Sequence, residues 1–202
     1  IENWSEGENQ FRGSLGLLPV NQSKNDNPLF KAFLGAALEA GHKINLDMNG
    51  EYQEGFGMFD TTIHNGERAS VYKYYLNPAK NRKNLNLFSN AYVEKIIFDE
   101  KKAIGIEVKI KNKLEKVYAN KELIISGGSI NSPHLLMLSG IGDANHLKEK
   151  GIKVIHDLKG VGRNLQDHLE TYIQQECKTS DTLYKYTKFV PKVLSGIQWF
   201  LS

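Results

Sequence analysis

Between Tyr92 and Leu138 the spacing of apolar residues changes once, from every second position to a helical period, across the tight turn Ser126-Gly127-Gly128-Ser129. That change commits the stretch to strands followed by a helix, because side chains alternate faces along a strand and recur at i, i+3 and i+4 on a helix. Tyr92 to Phe98 is rich in β-branched and aromatic residues. In a second run, Ala103 to Ile110, the residues Ile104, Ile106, Val108 and Ile110 share one face. Lys101-Lys102 supplies the turn between the two. Lys116 to Ala119 leads into Glu122-Leu123-Ile124-Ile125, apolar enough for a buried strand. Ser132-Pro133 then opens a helix through Leu138, and Gly140 ends it. A small antiparallel meander feeding a buried strand and a helix is expected.

The flanking segments carry their own punctuation. Asp26-Asn27-Pro28 precedes Leu29, Phe30, Phe33, Leu34, Ala37 and Leu38, a helical spacing with Asn27 as cap, Pro28 in the first turn and Gly41 at the exit. A second short helix is expected from Ala144 to Lys150, stopped by Gly151. Leu85 to Phe88, Gly151 to Ile155 and Glu170 to Cys177 read as strands, and Phe189 to Leu201 as an amphipathic helix around Pro191.

Bulk properties exclude several function classes. The net charge of +3 is spread through interleaved stretches such as Lys148-Glu149-Lys150, unlike a nucleic-acid arm. A single cysteine, Cys177, rules out an internal disulfide framework and a cysteine-rich zinc site, and its plainest role is that of a small hydrophobe. No apolar run approaches the roughly 18–20 residues that span a bilayer. The chain opens on Ile1-Glu2-Asn3-Trp4, with neither a Met nor a positively charged leader, so an internal piece of a longer protein is expected.

Two short segments carry chemistry. The Gly127-Gly128 turn places flexible backbone ahead of a helix start, where free N–H groups and the positive dipole end favour an anion such as a pyrophosphate. Many β–α turns hold glycines for steric reasons alone, and that reading stands beside it. Gly55-Phe56-Gly57 and Gly160-Val161-Gly162 each lack the third glycine, the preceding strand and the acidic residue about 20 positions on that a dinucleotide fingerprint needs. The second segment is Asn164-Leu165-Gln166-Asp167-His168-Leu169-Glu170. Its Asp167-His168 pair reads either as a proton-handling unit or as a capping Asp beside a packed His. No triad spacing, nucleophile elbow or metal pair surrounds any of the six histidines.

Gly128-Ser-Ile-Asn-Ser-Pro-His-Leu-Leu-Met-Leu-Ser-Gly-Ile-Gly142 resembles a signature block of the glucose–methanol–choline (GMC) oxidoreductases, with every constrained position filled. Gly160-Val-Gly-Arg-Asn-Leu-Gln-Asp-His168 resembles the block that follows it in that family. Gly66-Glu-Arg-Ala-Ser70 and Asn84 through Asp99 fit the same family in the same order. Phe11-Arg-Gly-Ser-Leu-Gly16, Asp47-Met-Asn-Gly50 with Gln53-Glu-Gly-Phe-Gly57, and Asp167 through Lys178 resemble its choline-oxidising bacterial members in particular. The chain departs from those members between Tyr184 and Pro191, where paired tryptophans are expected and Tyr186 and Phe189 stand instead.

The resemblance implies an α/β (α+β) fold, the central part of an FAD-binding domain interleaved with an antiparallel-sheet substrate domain. Residues 1–60 and 171–202 are expected on the substrate side and 61–170 on the flavin side. The implied reaction is oxidation of an alcohol, choline to betaine aldehyde in glycine betaine synthesis, with another alcohol of the same family as the alternative. FAD is the implied cofactor and a membrane quinone the implied electron acceptor. The implied location is the cytoplasm or the periphery of a bacterial inner membrane, with no metal and no nucleic acid. Carried over by position, Val93 contacts the cofactor through backbone atoms, and Gly128, Ser129 and Asn131 stand beside it. Glu170 matches an acidic residue that faces the trimethylammonium group of the substrate. Tyr186 and Phe189 are candidate aromatic faces for that cation. Each keeps a plainer reading, Glu170 as a solvated strand residue and the aromatics as core. The catalytic histidine of the family is expected beyond the last residue, so no catalytic residue is assigned here, and the isolated chain is expected to be inactive.

Overall fold

Asn27 ends an extended stretch and starts the first helix: its side chain accepts the Leu29 N–H at 2.9 Å, and Pro28 occupies the first turn, where its missing donor costs nothing. In the computed structural model, which describes residues 1–179 and 181–201, that helix (α1, Pro28–Glu39) follows two short parallel strands, β1 (Glu2–Trp4) and β2 (Leu18–Val20). Trp4 and Val20 of this pair are buried, as is Ala37 on the inner side of α1. Phe33 of α1 meets Phe56 edge-on at 5.5 Å between ring centroids. A hairpin of β3 (Ile63–His64) and β4 (Glu67–Arg68) turns through Asn65-Gly66, both at positive φ, the sequence pair that a type I′ turn favours. A π-helical turn, Tyr72–Leu76, runs straight into α2 (Asn77–Ala79).

The sheet expected from the alternating pattern is present. β5 (Ala91–Asp99), β6 (Lys102–Ile110) and β7 (Lys113–Tyr118) form an antiparallel meander in the order β5-β6-β7. The first turn is made by Glu100 and Lys101, with Glu100 at φ 51°. Lys111 and Asn112, both at positive φ, make the second. Two bulges interrupt the β5–β6 ladder. Between Val93 and Lys95 the extra residue is Glu94, and between Ile97 and Phe98 it is Ile104 on the partner strand. The expected Ile104–Ile110 face is turned inward, with Val108 buried and Ile104, Ile106 and Ile110 half-buried, and Ile96 of β5 is buried as well.

Helix α3 (Gly128–Leu138) begins one turn earlier than Ser132-Pro133 suggests. Gly128 adopts φ +82°, a backbone open to glycine, and the Ser132 hydroxyl accepts the Gly127 N–H from inside the first turns. At the far end Gly140 sits at φ +91°, where a Cβ would lie 2.5 Å from the Lys153 carbonyl oxygen. β8 (Ile141–Gly142) then pairs in parallel with β9 (His156–Asp157) across α4 (Ala144–Glu149), whose Leu147 is completely buried. Asp143 caps α4 by accepting the Asn145 and His146 N–H groups. The chain ends with a 3₁₀ turn, Leu183–Thr187, and α5 (Phe189–Leu201). Pro191 and Ser195 of this helix are half-buried, and Phe189, Leu194 and Phe200 are exposed. Among the described residues no helix is long and apolar enough to cross a membrane.

Four strand expectations are corrected. Glu122–Ile125 forms no strand, and Ile124 is 77% exposed. A strand apolar on both faces needs a ladder partner, and among the described residues none lies beside this segment. For the same reason Leu85–Phe88 and Glu170–Cys177 carry no ladder, and Gly151–Ile155 contributes only its continuation at β9. Alternation records a face, not a partner.

The chain divides into two compact units, Ile1–Asn86 with Ile173–Ser202, and Leu87–Tyr172. The first holds Trp4, α1 and α5; the second holds the sheet, α3 and α4.

Candidate functional site

In the second unit a groove of about 480 Å³ lies between β5, the Leu123–Gly127 segment and α3. Its apolar wall includes Tyr92, Val93, Ile106 and Leu135, and its polar rim is Ser126, Gly127, Asn131 and His134. Helix α3 has no side-chain cap, so the N–H groups of its first turn and its positive end are offered at the rim. A Cβ at Gly127 would lie 3.2 Å from the Asn131 Cβ and 3.3 Å from the Ser132 nitrogen, so a side chain there would press into the helix start. An apolar slot with an N–H-rich, positive edge suits a flat heteroaromatic ring joined to an anionic group.

Of the residues expected at a cofactor, Val93 and Asn131 line this groove. Gly128 shapes the turn without lining it, and its neighbour Gly127 stands at the rim. Ser129 lies on the other side of α3, along a second cavity of about 310 Å³ with Pro133, Met137 and Arg163.

One buried hydroxyl holds this arrangement. Ser139, only 1% exposed, donates to the Leu135 carbonyl at 2.6 Å and accepts the Ile96 N–H at 2.8 Å. It therefore ties the end of α3 to the middle of β5. Ser139→Ala strips the Ile96 amide of its acceptor in a dry place, a loss of about 1–3 kcal/mol. The expected result is faster hydrogen exchange at the Ile96 amide and a lower urea midpoint for the second unit; unchanged exchange at Ile96 would show that the hydroxyl holds nothing.

The expected cation-site residues fall in different units. Glu170, exposed at the end of the second unit, accepts a hydrogen bond from the Tyr172 hydroxyl at 2.5 Å. That bond pushes the Tyr172 phenol above its ordinary value. Tyr186 and Phe189 belong to the first unit. The Lys185 ammonium sits 5.2 Å from the Tyr186 ring centroid, and Phe189 is 82% exposed. Tyr172 escaped the sequence reading although a signal was there: in an extended chain residues two apart share a side. The Asp167 carboxylate accepts the backbone N–H of His168 at 2.8 Å, which favours the capping role over a proton relay. Among the described residues no cluster of His, Cys, Asp and Glu is arranged to hold a metal.

The first unit contains a charge network that no local pattern announced. Arg12 is buried, its side chain 2% exposed. Its guanidinium reaches Glu2 at 2.9 Å, Asp47 at 2.5 Å and Asp60 at 2.8 Å, and lies 4.2 Å from the centroid of the Trp4 ring. Burial opposes the charge on Arg12, but hydrogen bonds with Glu2, Asp60 and Asp47 outweigh it and hold its pKa above the ordinary arginine value. The same contact holds the Glu2 carboxyl below its ordinary value, chiefly through the hydrogen bond from Arg12.

The GMC oxidoreductase family model matches residues 2–170. The oxygen-dependent choline dehydrogenase of Brucella ovis is 48% identical over 201 residues, 100% of this chain and 36% of that protein. The mitochondrial choline dehydrogenase of Homo sapiens is 48% identical over 193 residues, 96% of this chain and 32% of that protein. Among solved structures, an FAD-dependent oxidoreductase from Chaetomium thermophilum superposes with a TM-score of 0.75 at 29% identity, covering 82% of this chain and 31% of the other. Pyridoxine 4-oxidase from Mesorbium loti superposes with a TM-score of 0.73 at 26% identity, covering 78% and 31%. The chain thus spans about a third of the length of the relatives it matches.

Proposed function

The chain belongs to the GMC oxidoreductase family, and from that membership we propose that it is the stretch of an FAD-dependent enzyme that oxidises choline to betaine aldehyde, a step toward glycine betaine. The observation that carries this reading is the 48% identity to choline dehydrogenases sustained over the whole chain. Residues 1–60 and 171–202 belong to the substrate side of that enzyme and 61–170 to the flavin side.

The groove beside α3 is the cofactor wall. Val93 lends backbone atoms and an apolar surface, Asn131 a polar side chain at the rim, and Gly128 and Ser129 the turn from which α3 presents its N–H groups. The flavin supplies the hydride acceptor when bound. Glu170 supplies the negative charge that a quaternary ammonium needs, since such a group has no N–H and is held by charge and by aromatic faces. Tyr186 and Phe189 are the candidate aromatic faces that the family resemblance offers for it. The family resemblance offers a quinone as the electron acceptor and places the enzyme in the cytoplasm or at the periphery of a bacterial inner membrane.

The test is substrate profiling of the complete enzyme with a reducible dye. Choline is expected to give the highest kcat/KM, well above aliphatic alcohols and sugars. A preference for an uncharged alcohol would instead favour another member of the family, the reading that Tyr186 and Phe189 support by standing where tryptophans are expected. The 202 residues alone are expected to purify without flavin absorbance and without choline-dependent dye reduction; a yellow, active preparation would overturn that.

A further inference from the structure

We infer that Tyr172 is a specificity-determining residue of the cation site, its hydroxyl orienting the Glu170 carboxylate and its ring lying beside that charge. The inference rests on the reading of Glu170 as partner of a quaternary ammonium, and sharpens it.

Three observations carry it. The Tyr172 Oη to Glu170 Oε2 distance of 2.5 Å is that of a charge-assisted O–H···O⁻ bond, the strong kind. The two residues are two apart on a segment with no helical turn, so both side chains leave the same side of the chain. Both are exposed, Tyr172 by 80%, and among the described residues no hydrogen bond reaches the second carboxylate oxygen, Oε1.

The chemistry follows from what a quaternary ammonium lacks. Without an N–H it cannot compete for Oε2, so the tyrosine bond survives substrate binding and keeps the carboxylate in one orientation. The cation then meets an anion of fixed position with an aromatic ring alongside, the two features that attract it. The phenol contributes no charge of its own near neutral pH, and the bond to Glu170 holds its proton more firmly still. Fixing the carboxylate before the substrate arrives removes an ordering cost from binding.

The experiment compares Tyr172→Phe, which keeps the ring, with Tyr172→Leu, which loses it, in the complete flavin-loaded enzyme. Two readouts are taken: the ratio of kcat/KM for choline to that for its isostere with a quaternary carbon in place of nitrogen, and the inhibition constant of tetramethylammonium. Tyr172→Phe is expected to lower the ratio and weaken inhibition about three- to tenfold, the range of one hydrogen bond, and Tyr172→Leu to lower both further. If Glu170→Gln collapses the ratio while Tyr172→Phe leaves it and the inhibition constant unmoved, the role of Tyr172 is overturned and that of Glu170 stands. If Glu170→Gln itself leaves the ratio unmoved, both fall together.

Discussion

Arg12→Met is expected to destabilise the first unit by about 3–5 kcal/mol, the range for removing one partner of a buried ionic network. The substitution keeps much of the stem volume and removes the guanidinium that pairs with all three carboxylates. Glu2, Asp47 and Asp60 come from positions 10, 35 and 48 residues away from Arg12, so the guanidinium joins three separate stretches of chain at one point. With it gone, Asp60, whose side chain is 8% exposed, and Asp47, at 19%, stay largely out of water as unpaired charges that repel each other. Arg12→Lys is expected to recover only part of the loss, because a single ammonium cannot reach all three with the planar fork of a guanidinium. The measurement is urea denaturation followed by tryptophan fluorescence. Trp4 and Trp199, the two tryptophans of the chain, both lie in the first unit, and Trp4 sits against Arg12 itself. A midpoint unchanged in Arg12→Met would mean that the network contributes nothing net.

The same network sets a pH dependence. The Glu2 carboxyl is held below its ordinary value by the hydrogen bond from Arg12. A depressed folded-state pKa contributes stability that is present above the unfolded value and is lost as pH falls through the folded one. The urea midpoint of the first unit is therefore expected to drop as pH falls below the ordinary glutamate range near 4.5. In Arg12→Met the drop is expected to shrink, since Glu2 then loses the largest of the interactions that hold its carboxyl low and keeps only the Gly13 N–H and the nearby Ile1 ammonium.

Glu170→Gln in the complete enzyme is expected to raise the choline KM by roughly tenfold to a hundredfold, the scale of losing the charge partner of a bound cation. The change is nearly isosteric and removes only the negative charge. The carbon isostere of choline, identical in shape and uncharged, is expected to suffer much less. That contrast separates charge pairing from a general loss of the pocket. An equal loss with both substrates would assign Glu170 to structure. The Tyr172 hydroxyl keeps a partner in the variant, because the glutamine carbonyl also accepts a hydrogen bond. Local geometry is thereby preserved while the charge is lost.

Much of the fold was legible locally. The cap at Asn27, the Pro in the first turn and the exit at Gly41 marked α1; alternation and turn residues marked β5, β6 and β7; and Asp143 stands where α4 begins. These signals act within a few residues, so they survive in the bare sequence. The errors share one cause. Glu122–Ile125 has the composition of a buried strand, yet a strand is completed by a neighbour that its own residues do not name.

The candidate site divides in the same way. Family motifs singled out Val93, Asn131 and Glu170, whereas the bond from Tyr172 to Glu170 came from the structure. The Arg12 network was not legible, because electrostatic partners 35 and 48 residues apart leave no periodic trace. The sequence by itself determined the helices α1, α3 and α4, the three-stranded meander and the family, all of which depend on short-range spacing or ordered motifs. Only the tertiary structure decided which carboxylates gather on Arg12, that the Ser139 hydroxyl ties α3 to β5, and that Ile124 lies open. Those outcomes follow from where distant segments meet, and chain folding, not local preference, sets that.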